Sequence, residues 1–275
     1  MDTHPDMDAT LPPGLKINTV FDGRYRIIDS IGHGGMGVVY RALDEDKGEQ
    51  VAIKVLHSHL ANDPEILWRF DKEAYSSLKI NHPNVVEVKR SKLTAGGVPA
   101  YIVMELLQGE TLRAVLRREG TLSLERAAAY MRPICDGVGA GHHKGIVHRD
   151  LKPENIMILS SGPVPVKVMD FGIAKLRFFT DTNPPTQPGQ IMGTPRYMSP
   201  EQWDGRETDP RTDVYSLGVM FYEMLSGAAP FRAGDWEGMM KAHCNSPPEP
   251  LQDRQKIPHV DEVIMRALEK EPGRR

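Results

Sequence analysis

The chain of 275 residues is predicted to be an α+β protein in two lobes, a small antiparallel β-sheet lobe with one main helix and a larger, mostly helical lobe. Three observations carry that expectation. Short β-branched and aromatic runs punctuated by turn residues fill residues 25–56 and recur at 85–106. Helical spacing of apolar residues takes over after Gln108–Gly109. The length exceeds the ~100–200 residues usual for one domain, so two lobes or one large domain is expected.

At 40% hydrophobic and 26% charged residues the chain has enough apolar side chains for a sizeable core, which excludes a disordered or fibrous protein. Its 34 Lys and Arg against 37 Asp and Glu give a formal net charge of −3, without the basic excess that neutralises phosphates, so nucleic acid is not an expected partner. Two cysteines, Cys135 and Cys244, are too few and too far apart for a disulfide framework or a zinc pair, which fits the reducing cytoplasm. No apolar run reaches ~18 residues and the start lacks an apolar signal core, so no membrane contact is expected from this segment.

The elements follow in order. Residues 1–20, acidic and proline-bearing, are expected to be a flexible leader, and residues 21–107 the first lobe. YRIIDSIG from Tyr25 runs into a glycine cluster, then VVYRAL, a polar turn at 44–48 and QVAIKVL, an antiparallel meander. Residues 65–80 place Ile66, Phe70, Ser77 and Leu78 at helical spacing. VVEV (85–88) and YIVMEL (101–106) add two strands. Residues 108–275 form the second lobe, with helices expected over 124–143, 212–225 and 261–270.

The glycine cluster has Gly32, Gly34 and Gly37 in the spacing G-x-G-x-x-G. A dinucleotide-binding turn needs a helix directly afterwards, but Val38-Val39-Tyr40 is strand-forming. A glycine loop between two strands is instead a flap whose backbone N–H groups can approach phosphate oxygens, or a plain hairpin turn. Lys54 alternates with Ile53 on the next strand, as an edge lysine or, paired with Glu73 of the following helix, as a fixed charge for phosphate.

HRDLKPEN at 148–155 and Asp170-Phe171-Gly172 complete a set. With GHGGMG, VAIK and GTPRYMSPEQ in the same order, the sequence resembles the protein kinases, in particular the bacterial eukaryotic-like Ser/Thr protein kinases, over about residues 24 to 275. The resemblance implies ATP with Mg²⁺, or Mn²⁺ in its place, held between the lobes, and a protein Ser/Thr hydroxyl as acceptor. It implies that Asp150 orients the acceptor hydroxyl, that Lys152 reaches the transferring phosphate, and that Asn155 and Asp170 supply hard oxygen donors to the metal. Lys54 would hold the α- and β-phosphates with Glu73 fixing it, under the flap of Ile31, Gly32, Gly34 and Gly37. Met104 falls at the gatekeeper, Glu105 and Leu107 at the hinge, and Val39, Ala52 and Met157 at the apolar adenine walls. The alternative is a pseudokinase, a scaffolding ATP-binding module or an inactive fragment; loss of Lys54, Asp150, Asn155 or Asp170 would favour it, and all four are present.

Residues 171–200 are long for a small-molecule kinase, and Thr194 matches the threonine that contacts the loop aspartate and lysine in Ser/Thr kinases. Arg149 matches an arginine that pairs with a phosphate on this segment, with Thr180, Thr182 and Thr186 as acceptors, which implies transient pairing of two copies for autophosphorylation in trans. Asp213 would brace the catalytic loop and Glu201 would pair with Arg275. The family normally continues past this point, so the second lobe is expected to be cut short here, and the longer protein could be anchored to a membrane through regions not present in this sequence.

Three features depart from the pattern. Ser77 stands where an aliphatic residue is common, which predicts a looser helix; Pro133, Gly137, Gly139 and Gly141 lie inside a predicted helix and lower its intrinsic propensity; and the pair His142-His143 reads as capping or surface, since adjacent helical residues point about 100° apart.

Overall fold

The structure is a computed structural model and describes residues 15–94, 98–162, 165–171, 195–251 and 258–275. The chain forms two compact units: the described part of Met1–Ala74 with Val88–Leu106, and Tyr75–Glu87 with Leu107–Arg275.

The first unit is built on a six-stranded antiparallel sheet. Its strands are β1 (Val20–Phe21), β2 (Tyr25–His33), β3 (Gly37–Asp44), β4 (Glu49–Leu56), β5 (Val88–Lys92) and β6 (Tyr101–Glu105), in the order β1-β2-β3-β4-β6-β5. Alternation along β4 decides what each face buries. Val51, Ile53 and Val55 join Tyr25, Ile27, Tyr40 and Tyr101 on one face, while Leu56 joins Phe70, Ala74 and Ile102 on the other. Phe70 and Ala74 come from α1 (Pro64–Leu78), which packs its apolar stripe there. Leu78, expected in that stripe, is instead exposed at the last residue of α1.

Residues 1–14 of the expected leader lie outside the described residues. At its end Asn18 N–H donates to Ile27 O at 2.8 Å, and Leu15 packs on the cluster of Phe21 and Tyr25. Val85–Val86 does not belong to a first-unit strand. Val86 N–H donates to Val168 O at 2.9 Å and Val168 N–H to Asn84 O at 2.8 Å, so backbone pairing draws residues 75–87 to the second unit and β5 starts only at Val88.

The second unit carries a three-stranded antiparallel sheet, β7 (Gly109–Thr111), β8 (Ile156–Leu159) and β9 (Val166–Val168). Its helices are α2 (Leu112–Glu119), α3 (Leu124–His143), α4 (Pro200–Trp203), α5 (Pro210–Ser226), α6 (Trp236–Asn245) and α7 (Pro258–Ala267). Side-chain caps start several of them: Thr111 accepts from Ala114 N–H, Ser123 from Arg126 N–H, Asp209 from Arg211 N–H and Asp235 from Gly238 N–H. α5 is buried on nearly every side, so it forms the centre of the unit.

The glycines of α3 are packing sites. A Cβ at Gly137 would stand 2.7 Å from Asn84 O, and one at Gly141 would stand 2.5 Å from the Phe171 ring. Close approach of the neighbouring chain offsets their low helix propensity. Among the described residues no helix is long and apolar enough to cross a membrane.

Candidate active site

In the first unit, antiparallel register places Val39 opposite Lys54 and Ala52 opposite Met104. Directly paired residues share a face, so Val39, Ala52, Lys54 and Met104 line one side of the sheet. Glu105 pairs with Val51 and so belongs to the other side. Lys54 Nζ lies 2.6 Å from Glu73 Oε1, with the two side chains only 13% and 4% exposed. The pair assumed from sequence is therefore formed, and burial keeps it from the screening that weakens surface pairs. The flap turn joins β2 to β3 through Gly34–Met36, with Gly34 N–H donating to Gly37 O at 2.9 Å. Ile31 is exposed on β2, and Gly32 pairs with Val39.

In the second unit, the β8–β9 hairpin pairs Ile156 with Val168, and one step further Met169 N–H donates to Asn155 O at 2.9 Å. This brings Asn155 and Asp170 to the same end of the hairpin. Lys152 Nζ lies 2.7 Å from Asp150 Oδ2, and Asn155 Nδ2 donates to Asp150 O at 2.8 Å. The Asn155 amide nitrogen is spent on Asp150, which leaves its carbonyl oxygen as the group able to bind a cation. Met157, on β8, and Leu107 are half-buried.

The loop carrying these groups is unusual in its backbone. Arg149 has φ 66° and Asp170 φ 57°, left-handed values that non-glycine residues adopt only when their surroundings over-determine them. At Arg149 the surroundings do. Asp213, with 0% exposure, accepts from Arg149 N–H through Oδ1 and from His148 N–H through Oδ2, both at 2.8 Å, and Gln202 Nε2 donates to Arg149 O at 2.8 Å. His148 accepts from Asp150 N–H at Nδ1, which assigns its proton to Nε2, 2.9 Å from Met169 O. Its ring lies 4.7 Å from that of Phe171.

Of this bracing, Gln202 and Arg113 were not singled out in the sequence, and His142 reads there as a capping or surface residue. His142 Nε2 is 2.7 Å from Asp213 Oδ2, so it is neither a cap nor a surface residue; His143 is exposed. Gln202 does two jobs, since its Oε1 accepts from Ser199 N–H at 3.1 Å while its Nε2 holds Arg149. Arg113, on α2, ties Glu154 of the loop to Glu223 and Tyr197, with both ion pairs at 2.9 Å. Burial together with the Glu223 carboxylate raises the Tyr197 phenol above its usual value. The sequence carried no signal for Arg113, whose partners lie 41 to 110 residues further along the chain.

Glu201 and Arg275 pair bidentately at 2.7 and 2.8 Å. The remaining Arg275 N–H groups donate to Glu269 O, Arg211 O and Lys270 O, so all five have an acceptor. Burial alone would raise the Glu201 carboxyl, but the Arg275 donors outweigh it and hold it below the usual carboxylate range. Ser77 is buried, at 3% exposure. Thr180, Thr182, Thr186, Thr194 and Gly172 lie outside the described residues.

Among the described residues no group of three His, Cys, Asp or Glu side chains is placed to hold a metal alone. The donor set of one amide oxygen and one carboxylate, Asn155 and Asp170, fits a hard cation that takes its other ligands from phosphates and water.

A sheet-borne lysine–glutamate pair in one unit, and in the other a braced HRD loop with an asparagine and an aspartate at one hairpin end, define a protein kinase. Residues 25–275 match the protein kinase domain family, and the chain belongs to it. Among curated proteins, serine/threonine-protein kinase PknA of Mycobacterium tuberculosis is 41% identical over 263 residues, covering 94% of this chain and 60% of that protein. PknB of Mycobacterium leprae is 39% identical over 271 residues, covering 97% of this chain and 42% of that protein. The chain thus spans about 60% or less of the length of these relatives. Among solved structures, the M. tuberculosis PknI kinase domain matches with a TM-score of 0.73 at 25% identity, over 95% of this chain and 93% of that one. That likeness agrees with the α+β fold expected.

Proposed function

We propose that this chain is an active Ser/Thr protein kinase, transferring the γ-phosphate of ATP to hydroxyls of protein substrates. The observation that supports it is the Asp150–Lys152–Asn155 cluster on a loop fixed by Asp213 and Gln202. Asp150 accepts or orients the acceptor proton, and Lys152, at 2.7 Å from it, balances charge on the transferring group. Lys54, steadied by Glu73, holds the α- and β-phosphates, and Asn155 with Asp170 holds Mg²⁺, or Mn²⁺ in its place. The divalent ion supplies neutralisation of phosphate charge when bound. In the first unit, adenine sits against Val39, Ala52 and Met104, which share one face of the sheet, with the Glu105 backbone setting its orientation.

Regulation is part of the proposal. Arg149 Nε donates to Thr208 Oγ1 at 2.9 Å, and the rest of its guanidinium is suited to a phosphate on Thr180, Thr182 or Thr186, placed by a second copy acting in trans. The proposed place of action is the cytoplasm.

The test is incubation with labelled ATP, Mg²⁺ and a generic protein acceptor, with phosphosite mapping. Asp150→Asn should keep ATP binding within about twofold and lower turnover by on the order of 10²-fold or more. Wild-type turnover in that variant, or none in the parent, would overturn the reading.

A further inference from the structure

One side chain fastens the tip of the β2–β3 hairpin to the end of β4. His57 Nε2 lies 3.1 Å from Gly34 O, and His57 N–H donates to Met36 O at 2.9 Å. A Cβ at Gly37 would stand 2.1 Å from Val55 O, so glycine there lets the hairpin lie close against β4. The backbone bonds set where the turn lies. The imidazole sets something else, the orientation of the Gly34–Gly35 peptide plane, which two glycines would otherwise leave free to flip.

That orientation has a direction. His57 extends β4 with φ −58° and ψ 136°, so alternation puts its side chain on the Val55 face, opposite Lys54 and Leu56. In a trans peptide the carbonyl and the following N–H point in opposite directions. A Gly34 carbonyl held toward His57 therefore turns the Gly35 N–H to the face that carries Lys54. A carbonyl only accepts, so the His57 proton is on Nε2. The His59 ring, stacked at 5.3 Å with 21° between planes, limits rotation of the imidazole.

We propose that His57 is a positioning residue for nucleotide phosphates: its Nε2–H locks the Gly34 carbonyl so that the Gly35 N–H is presented to a phosphate oxygen. This rests on the kinase reading above, and it assigns the flap a fixed donor rather than a flexible one. Three variants separate the parts. His57→Ala removes ring and donor, His57→Phe keeps a ring to stack on His59 without a donor, and His57→Gln restores an N–H at similar reach. Dissociation constants for ATP should rise about fivefold in the Ala and Phe variants, the equivalent of one net hydrogen bond, with adenosine unchanged. His57→Gln should stay within about twofold of the parent for both ligands. Equal losses for ATP and adenosine, or parent-like ATP binding by His57→Phe, would overturn the proposal.

Nitrogen-15 NMR of the nucleotide-free chain keeps this apart from the kinase reading. The latch requires an Nε2–H tautomer at His57 and a Gly35 amide signal that moves in the Ala and Phe variants but not in Gln. An Nδ1–H tautomer overturns the latch even if the chain binds ATP. A parent that shows the latch but binds no ATP overturns the kinase reading, and with it the assignment of the Gly35 N–H to phosphate.

Discussion

Replacing Asp213 with alanine removes the acceptor on which the catalytic loop hangs. Both oxygens are used: Oδ1 by Arg149 N–H, and Oδ2 by His148 N–H and by His142 Nε2, at 2.8, 2.8 and 2.7 Å. In a site with 0% exposure, water cannot take over the two backbone donors. Each buried N–H left unsatisfied costs about 1–3 kcal/mol, and the three bonds belong to one network and do not add simply, so about 3–5 kcal/mol is expected in total. That is a large part of the ~5–15 kcal/mol that keeps a domain folded. Asp213→Asn keeps one acceptor of the same shape and should cost about half as much. The assay is urea unfolding of parent and variants beside phosphotransfer rates. Gln202 still holds the Arg149 carbonyl, so the loop stays attached but Asp150 loses its aim, and turnover should fall by far more than ATP affinity. An Asp213→Ala variant with a stability loss below ~1 kcal/mol and parent-like turnover would refute the view that this carboxylate organises the loop.

Gly141→Ala puts a methyl 2.5 Å from the Phe171 ring, which is fully buried and cannot yield freely; a loss of about 1–3 kcal/mol with a larger loss of turnover is expected from thermal unfolding and kinetics, whereas Gly139→Ala, with open space, should be harmless. Burial, aided by Lys270, pushes His243 down to about 3, so below pH 6.5 the unfolded chain takes up a proton that the folded chain refuses. Stability from this group is complete above pH 6.5 and falls as the pH drops toward 3, by up to roughly 2–3 kcal/mol at pH 4.5; His243→Leu should flatten that slope in urea unfolding at stepped pH, and a parallel slope would contradict the assignment.

The motifs that carry the residues proposed for phosphate and metal were legible in the sequence, because that chemistry admits few residue types in few orders. The glycine turn was legible too, since Val38-Val39-Tyr40 could only continue as strand. What escaped were groups whose meaning lies in a distant partner. His142 reads like any helix-end histidine until Asp213 arrives beside it, and Arg113 looks like a surface arginine until Glu223 and Tyr197 close around it. Val85 and Val86 look like strand residues of the first unit because β propensity carries no information on which sheet is joined. Gly137 and Gly141 looked like helix defects, because propensity counts the missing side chain and not the backbone and ring that occupy its place.

The left-handed backbone at Asp170 and Arg149 decides which substitutions report on chemistry alone. Asparagine and aspartate visit that region far more readily than alanine. Asp170→Ala would therefore strip a carboxylate and push the backbone toward another well at once, dragging Phe171 from beside His148. Asp170→Asn holds the chain path while removing the charge, and Arg149→Asn does the same for the guanidinium. Rates measured on these two asparagine variants measure the missing charges, whereas alanine at either place measures a displaced loop.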